Sequence, residues 1–283
     1  MSSFAWPDTA PPGPLGPKHI LAPNPGPMSL DGTNTWFLPT DGGMIVVDPG
    51  PDDPGHLSAI IELAGTVEEI WVTHRHIDHI EATRPLAARA GNPPIRAFDP
   101  DLCVGEPLRG DDQIELGNGA AVRVLHIPGH TDDSIGFVHT APEEPGRLLT
   151  GDMVLGRGTT VIVPPDGSLT SYFASLDLME QACHDHGVTE LLPGHAPVLT
   201  TPIEVLQYYR SHRRERLAQV RAAVSAGHRT PDAVVEHVYD DAPANVKFAA
   251  RLSAIAQLHH LREAEGLDVE LTAEQLAHPY PGS

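Results

Sequence analysis

Four side chains that bind metals well are packed into six consecutive positions of this sequence. Three histidines and one aspartate follow the order His-x-His-x-Asp-His from His74 to His79, directly after the β-like run Ile70–Thr73. In a chain with 17 histidines and 38 acidic residues, composition alone produces this order in only about a few cases per thousand. Imidazole and carboxylate suit zinc and its first-row neighbours, whereas calcium prefers oxygen ligands alone. The motif therefore predicts a metal site at a strand end, and the alternative is a polar helix start.

Three further ligand-type residues stand at the ends of apolar runs. His130, Asp152 and His195 each come directly after a glycine that closes such a run. A side chain on a turn that follows a rigid strand is well placed for chemistry. Taken singly, each of the three fits an ordinary turn residue better than a ligand. Their recurrence at three equivalent positions favours a shared site.

Composition excludes several classes of protein. The formal net charge of -20 disfavours indiscriminate binding to polyanions and anionic lipid. No apolar run approaches the roughly 20 residues of a membrane span, and the first 20 residues lack a secretory leader pattern. Cys103 and Cys183 fit no disulfide framework or thiolate zinc spacing, and both are expected to be buried. We therefore expect a cytoplasmic protein that does not contact membranes.

The order of the sequence patterns predicts a layered α/β fold with a helical C-terminal part. Residues 1–18 are a Pro-rich lead-in, residues 19–201 carry the alternating patterns, and residues 202–283 read as helix up to a strand-like run at Leu267–Leu271. The β-like runs in the middle part share branched and aromatic residues, and they are Thr35–Leu38, Met44–Val47, Ile70–Thr73, Val122–His126, Ile135–His139 and Arg147–Thr150. Helical patterns cover His56–Leu63 and Glu81–Ala90.

The ordered set Asp48, His74 to His79, His130, Asp152 and His195 resembles the metallo-β-lactamase superfamily. The resemblance implies a four-layer αββα sandwich with its site at one edge of two sheets. It also implies two divalent metals, Zn²⁺ first with Mn²⁺ or Fe²⁺ as alternatives, and a metal-bridging hydroxide that acts as nucleophile.

The resemblance also assigns a role to each ligand. One metal would be bound by His74, His76 and His130, and the other by Asp78, His79 and His195. Asp152 would bridge both, so Asp78 and Asp152 are the carboxylates expected to act in catalysis. Asp48 is expected to orient a ligand rather than touch a metal.

Finer motifs resemble the β-lactamase-like protein 2 group. They are the segments Gly32–Trp36, Gly151–Thr160 and Tyr209–Arg213, and that group ends in a winged-helix-like domain. Because its animal members are endoribonucleases, the resemblance implies a phosphodiesterase acting on single-stranded RNA. Arg157 and the basic stretch Arg210–Arg221 are candidates for phosphate contacts, although a solvated helix face explains the stretch better than RNA contact does.

Other functions remain open at this point. A thioester or ester hydrolase of the glyoxalase II type would use the same nucleophile on a small-molecule carbonyl substrate. The flavo-diiron branch carries Glu where this chain has His76, so hydrolysis is favoured over redox chemistry. A non-catalytic, partner-binding protein with a vestigial site is the second alternative. The apolar face of Val246–Arg262 indicates core packing or a homodimer contact, and no sequence-specific DNA binding is expected.

Overall fold

The structure is a computed structural model that describes residues 15–239 and 244–277. Residues 1–14 of the predicted lead-in lie outside the described residues, and the first strand begins at Lys18. The strands are β1 Lys18–Leu21, β2 Asn34–Pro39, β3 Met44–Val47, β4 Val67–Trp71, β5 Ile95–Arg96, β6 Gln113–Gly117, β7 Ala120–His126, β8 Ile135–Ala141, β9 Glu144–Gly151 and β10 Val188–Pro193. The helices are α1 Pro54–Ala64, α2 Ile77–Ile80, α3 Thr83–Arg89, α4 Leu169–Asp185, α5 Pro202–Ser225, α6 Pro231–Val238, α7 Ala244–Glu265 and α8 Ala273–Ala277.

The strands form two five-stranded mixed sheets. The first sheet has the order β1-β2-β3-β4-β5, and the second has the order β10-β9-β8-β7-β6. Strands β3, β4 and β5 run parallel, as do β9 and β10, while the remaining neighbours are antiparallel. Because β8 is antiparallel to both β7 and β9, strands β7, β9 and β10 end at the same edge of their sheet.

Three hydrophobic clusters lie between the layers and pack them together. One, which includes Trp36 and Phe137, lies between the two sheets. A second packs the outer face of the first sheet against α1 and α3 through residues such as Leu57 and Leu86. The third packs the outer face of the second sheet against α4 and the later helices, with Tyr172 at 0% exposure. This sequence of layers confirms the predicted αββα sandwich.

The C-terminal part is helical, as the sequence predicts. Thr230 caps α6 by accepting from the backbone N–H of Ala233, and Gly266 ends α7 with a φ of 69°. The strand predicted at Leu267–Leu271 is wrong, because this segment has no partner strand. Its alternating apolar residues pack instead against the helical core, and the Glu270 N–H donates to Arg229 O at 2.9 Å. No strand forms within residues 202–239 and 244–277, so the winged-helix resemblance is not confirmed.

The long helix α4 was not predicted from the sequence. Ser168 begins it by accepting from the backbone N–H of Ser171, and its buried face includes Tyr172, Leu176 and Met179. Leu169, Tyr172, Leu176, Met179 and Cys183 recur at spacings of three and four, so the helical period is present in the sequence, and Ser175 is the one polar residue of the buried face. The helix matters for function because it lies between the second sheet and the C-terminal helices.

Candidate metal centre

The predicted ligands meet at the edge where the parallel strands end. His74 follows β4, while Asp152 and His195 follow β9 and β10. His130 lies in the turn between β7 and β8. The sheets face each other across the inner cluster, so their carboxyl ends converge at one rim. All seven predicted ligands are therefore brought together.

Candidate ligand atoms fall into three overlapping groups. The first group is His74, His76 and His130, the second is His74, His79 and Asp152, and the third is Asp78, His79 and His195. Within each group the ligand atoms lie within 4.8 Å of one another. The first and third groups coincide with the two metal positions that the family resemblance implies.

Three imidazoles of the first group turn ring nitrogens towards one point. His76 Nδ1 lies 3.1 Å from His74 Nε2 and 2.9 Å from His130 Nε2. His130 Nδ1 is 2.8 Å from the carbonyl oxygen of Val161, which can only accept, so Nδ1 carries the proton. The Nε2 lone pair of His130 consequently faces the centre.

His74 is oriented through a threonine hydroxyl. Thr73 Oγ1 donates to Asp48 Oδ2 at 2.7 Å, which leaves the oxygen of this hydroxyl free to accept from His74 Nδ1 at 3.0 Å. His74 Nε2 is then unprotonated and faces His76. The first group thus presents neutral imidazole nitrogens at hydrogen-bond distance from one another.

The third group repeats this arrangement. His79 Nδ1 donates to Asp48 Oδ2 at 2.9 Å, and His195 Nδ1 donates to the carbonyl of Gly32 at 3.0 Å. The two Nε2 atoms lie 3.2 Å apart, and Asp78 Oδ2 is 3.2 Å from His195 Nε2. Two lone pairs at this separation repel each other unless a proton or a cation lies between them.

Asp152 lies between the two groups. Its Oδ2 is 3.7 Å from His130 Nε2 and 3.3 Å from His195 Nε2, while its Oδ1 is 3.5 Å from His79 Nε2. This carboxylate is buried, and Oδ1 has no hydrogen-bond partner among the described residues. A buried carboxylate oxygen without a partner is costly unless a cation binds it.

Asp48 orients residues of the site through hydrogen bonds. It accepts from the backbone N–H of Thr73 at 2.8 Å as well as from the Thr73 hydroxyl and His79, and it is 1% exposed. Its φ of 52° is a conformation that aspartate tolerates better than most residues. The carboxylate thus contacts Thr73, which directly precedes His74, and the Nδ1 atom of His79.

The pKa values divide the histidines into two kinds. Burial lowers the pKa of His74 and His76, and it lowers the pKa of His130 to about 4, so these rings are neutral near pH 7. Burial also acts on His79 and His195, but carboxylates outweigh it. Asp48 and Asp152 raise the pKa of His79 well above its ordinary value, and Asp152 and Asp78 raise that of His195 to about 9.

Both features fit divalent metals. Neutral imidazole is the form that ligates a metal, and the carboxylates that hold protons on His79 and His195 would attract a cation to the same place. Although burial opposes ionisation, the two histidines keep the pKa of Asp152 well below its ordinary value. The donor types and convergence of these residues therefore fit divalent metals, and His79 and His195 would release protons when a cation binds.

Sequence reasoning missed the residues that orient the ligands. Thr73, the carbonyls of Gly32 and Val161, and the Thr160 hydroxyl at 2.9 Å from His130 Nδ1 all serve this purpose. Thr73 adjoins the histidine motif, and Gly32 and Thr160 lie at the ends of two of the finer motifs, but these patterns do not show which histidine each residue contacts. Gly32, Thr160 and Val161 are distant in sequence from the histidines that they contact. A backbone carbonyl is present in every residue, so residue type does not reveal which carbonyl will accept.

The predicted phosphate contacts are engaged elsewhere in the protein. Arg157 lies 2.9 Å from Asp31 Oδ1 in an exposed ion pair. Arg210 pairs with Asp177 and Glu180 at 2.7 and 2.5 Å. The other arginines of the stretch also have partners: Arg213 with Thr160 O, Arg214 with the Phe173 ring, Arg216 with Gln219 and the Tyr239 ring, and Arg221 with Glu265.

A protein-family comparison assigns the chain that carries this site to a family. The model described as the metallo-beta-lactamase superfamily matches residues 28–183, which is more than half of the chain. The chain belongs to this superfamily. Enzymes of the superfamily typically bind divalent metals, so the chain is a metallo-β-lactamase-fold hydrolase with a candidate metal site.

Three relatives illustrate the range of similarity within the superfamily. A beta-lactamase-like protein 2 homolog of Drosophila melanogaster is 30% identical, with 93% of each chain covered. An atrochrysone carboxyl ACP thioesterase of Passalora fulva is 31% identical, over 74% of this chain and 61% of that protein. The crystal structure of a beta-lactamase domain protein from Burkholderia ambifaria has a TM-score of 0.71 at 21% identity, covering 92% of this chain and 89% of that one.

Among the described residues, no helix is both long and apolar enough to cross a membrane.

Proposed function

We propose that this protein is a binuclear metal-dependent hydrolase that cleaves an acyl thioester or ester. The observation that carries the choice of substrate is that the arginines expected to meet phosphates are held by partners within the protein. A net charge of -20 adds a field that repels a polyanionic substrate. The likeness to an acyl carrier protein thioesterase supports the same chemistry.

The residues present account for the proposed reaction. Two divalent metals, with zinc best suited to the five imidazoles and two carboxylates, would supply a water of lowered pKa and would polarise the substrate carbonyl. His74, His76 and His130 would hold one metal, Asp78, His79 and His195 would hold the other, and Asp152, which lies between the two groups, would contact both. The carboxylates of Asp152 and Asp78 are the candidate acceptors for the proton of the attacking water.

A substrate panel tests the proposal. We expect the zinc-loaded protein to hydrolyse short acyl thioesters, for example acyl-N-acetylcysteamine, at least about 100-fold faster than it cleaves bis-nitrophenyl phosphate or single-stranded RNA. Asp152→Asn should abolish turnover because it removes the bridging carboxylate, whereas Asp177→Asn on the surface should not change it. Turnover that survives Asp152→Asn would exclude the assigned site.

Cleavage of phosphodiesters is the second candidate. It is favoured by the likeness to a beta-lactamase-like protein 2 homolog over almost the full length of both chains, because the resemblance to that group implies cleavage of single-stranded RNA. RNA cleavage that is lost in Asp152→Asn, together with inert thioesters, would establish this candidate and overturn the first. Both outcomes keep the metal centre, whereas a wild-type protein that binds no metal would exclude both candidates.

A further inference from the structure

His130 depends on a segment that has no regular structure of its own. Residues 152–168 contain no helix or strand, yet Val161 O and Thr160 Oγ1 are the two acceptors beside His130 Nδ1. A segment without its own backbone ladder must be held by groups from elsewhere. The orientation of His130 is therefore decided by whatever holds Thr160 and Val161.

Helices α4 and α5 provide those groups. The Tyr172 hydroxyl donates to Met153 O at 2.7 Å. The Tyr209 hydroxyl accepts from Leu155 N at 3.0 Å and lies 3.0 Å from the carbonyls of Leu155 and Gly158. Arg213 of α5 reaches farthest along the segment, because its Nη2 donates to the carbonyl oxygen of Thr160.

Arg213 is an unusual residue for its position. It is 6% exposed and lies over the Tyr172 ring, with 5.1 Å from guanidinium carbon to ring centroid. Within the described part of the chain it has no ion-pair partner, and its Nε has no acceptor. Burying a charge without a carboxylate partner is costly, and an apolar residue of similar size is often at least as stable. Fold stability alone therefore does not explain an arginine here.

We propose that Arg213 is a positioning residue for His130. By fixing the Thr160 carbonyl, Arg213 fixes the Thr160-Val161 peptide unit, which lies between the Thr160 hydroxyl and the Val161 carbonyl, the two acceptors beside His130 Nδ1. Arg213 thereby acts on the position where His74, His76 and His130 would hold a metal, whereas the acceptors beside His79 and His195 are Asp48 and the Gly32 carbonyl. This inference rests on the metal centre proposed above.

Metal titration of matched variants tests this role. Arg213→Met removes the donor, Arg213→Lys restores one, and Arg214→Met makes the same change at the next, exposed position of the helix. Zn²⁺ is titrated into each metal-free protein by calorimetry, and the visible spectrum of the Co²⁺ form reports the geometry around each ion. Thermal unfolding checks that each variant is folded.

We expect Arg213→Met to weaken one of the two metals about 10- to 100-fold, as loss of a supporting hydrogen bond to a ligand does elsewhere. The other metal should stay within about threefold, and the Co²⁺ spectrum should change at the weakened position. Arg213→Lys should recover most of the affinity, and Arg214→Met should match the wild type. If Arg213→Met does not fold, Arg213→Gln replaces it, since its amide is too short to reach Thr160 O.

Three results would overturn the inference. They are a folded Arg213→Met or Arg213→Gln protein that binds both metals like the wild type, an equal loss at both metals, and an equal loss in Arg214→Met. If the wild type binds two metals and Arg213→Met binds both with the same affinities, only the role of Arg213 is excluded. Wild-type protein that binds none removes the proposed centre, and the inference with it.

Discussion

Two kinds of buried histidine occur in this protein, and their partners distinguish them. Each histidine assigned to the metals except His76 has an acceptor on the nitrogen that faces away from the centre, such as Val161 O for His130. His139 on β8 is 0% exposed, and neither of its ring nitrogens has a partner among the described residues. The first arrangement fixes a tautomer for ligation, whereas the second leaves a ring that is stable only when neutral.

Asp48 should matter for metal binding without touching a metal. Asp48→Asn keeps the size and tolerates the φ of 52°, but only one of its two terminal atoms accepts, so it cannot keep the Thr73 N–H at Oδ1 together with the Thr73 hydroxyl and His79 at Oδ2. We expect zinc affinity to fall about 10- to 100-fold, measured by competition with a chelator. Asp52→Asn, an exposed neighbour, is the control. Unchanged affinity in Asp48→Asn would show that the orientation of His79 is fixed by other contacts.

His139 predicts a loss of stability in acid. Burial, with the nearby Arg147 charge, lowers the pKa of His139 to about 4, so below pH 6.5 the unfolded chain binds a proton that the folded chain does not. The free energy of unfolding should fall by up to about 3 kcal/mol between pH 6.5 and pH 4 from this residue.

His139→Leu should remove that part of the acid sensitivity, because leucine is of similar size and has no proton to gain. Urea unfolding at pH 7 and pH 4.5 measures it, with the exposed His184→Leu as control. Loss of metal in acid affects all three proteins, so it cancels in the comparison. An identical decline in wild type and His139→Leu would contradict the assignment.

At the scale of elements, the site depends on how closely strand ends approach one another. The Gly194 N–H after β10 donates to Gly151 O after β9 at 2.9 Å, which places His195 beside Asp152. A Cβ on Gly194 would lie 2.5 Å from Asp152 Oδ1 and 2.7 Å from His79 Cε1. Glycine is therefore required at this position by space rather than by turn conformation.

Gly194→Ala should disable the site while the fold persists. The added methyl group must displace Asp152 or His79, and a shift of roughly 1 Å in a ligand costs on the order of 100-fold in rate. We expect weaker zinc binding in titration and a matching loss of turnover, with circular dichroism unchanged. Gly55→Ala in α1 is the control. Wild-type turnover in Gly194→Ala would mean that the turn after β10 can shift to accommodate the methyl group without moving Asp152 or His79.

At the scale of the whole molecule, one hydrophobic cluster joins the sandwich to the C-terminal helices. Leu148 of β9, Tyr172 of α4, Tyr209 of α5 and Leu258 of α7 belong to it, and all are fully buried. The apolar face of α7 is thus used within the chain, as core packing predicts. A cluster shared in this way makes the two parts stabilise each other.

Truncation tests that dependence. A chain that ends at Thr201 would expose the faces of α4 that α5 and α7 cover, and we expect it to aggregate or to lose cooperative unfolding. The full chain should unfold in one calorimetric transition. A truncated protein that unfolds cooperatively and binds two metals would show that residues 19–201 fold alone, as the sequence boundaries suggest.

The sequence by itself determined the candidate ligands and most of the strands before them. His74, His130, Asp152 and His195 stand at run ends, and alternation or apolar character marks strands such as β3 and β7, because both signals are local. Short or polar strands such as β5 and β6 carry weaker signals and were missed. Helix α4 was missed although its apolar residues recur at helical spacing.

Only the tertiary structure decided which groups hold the ligands and what the arginines do. Thr160, Val161 and Gly32 contact histidines that are distant in sequence, and Arg213 turned out to be a buried donor to Thr160 rather than a surface charge. The physical reason is that hydrogen bonds between backbone carbonyls and distant side chains depend on where strands end in space. Residue type and spacing do not specify the positions of strand ends in space.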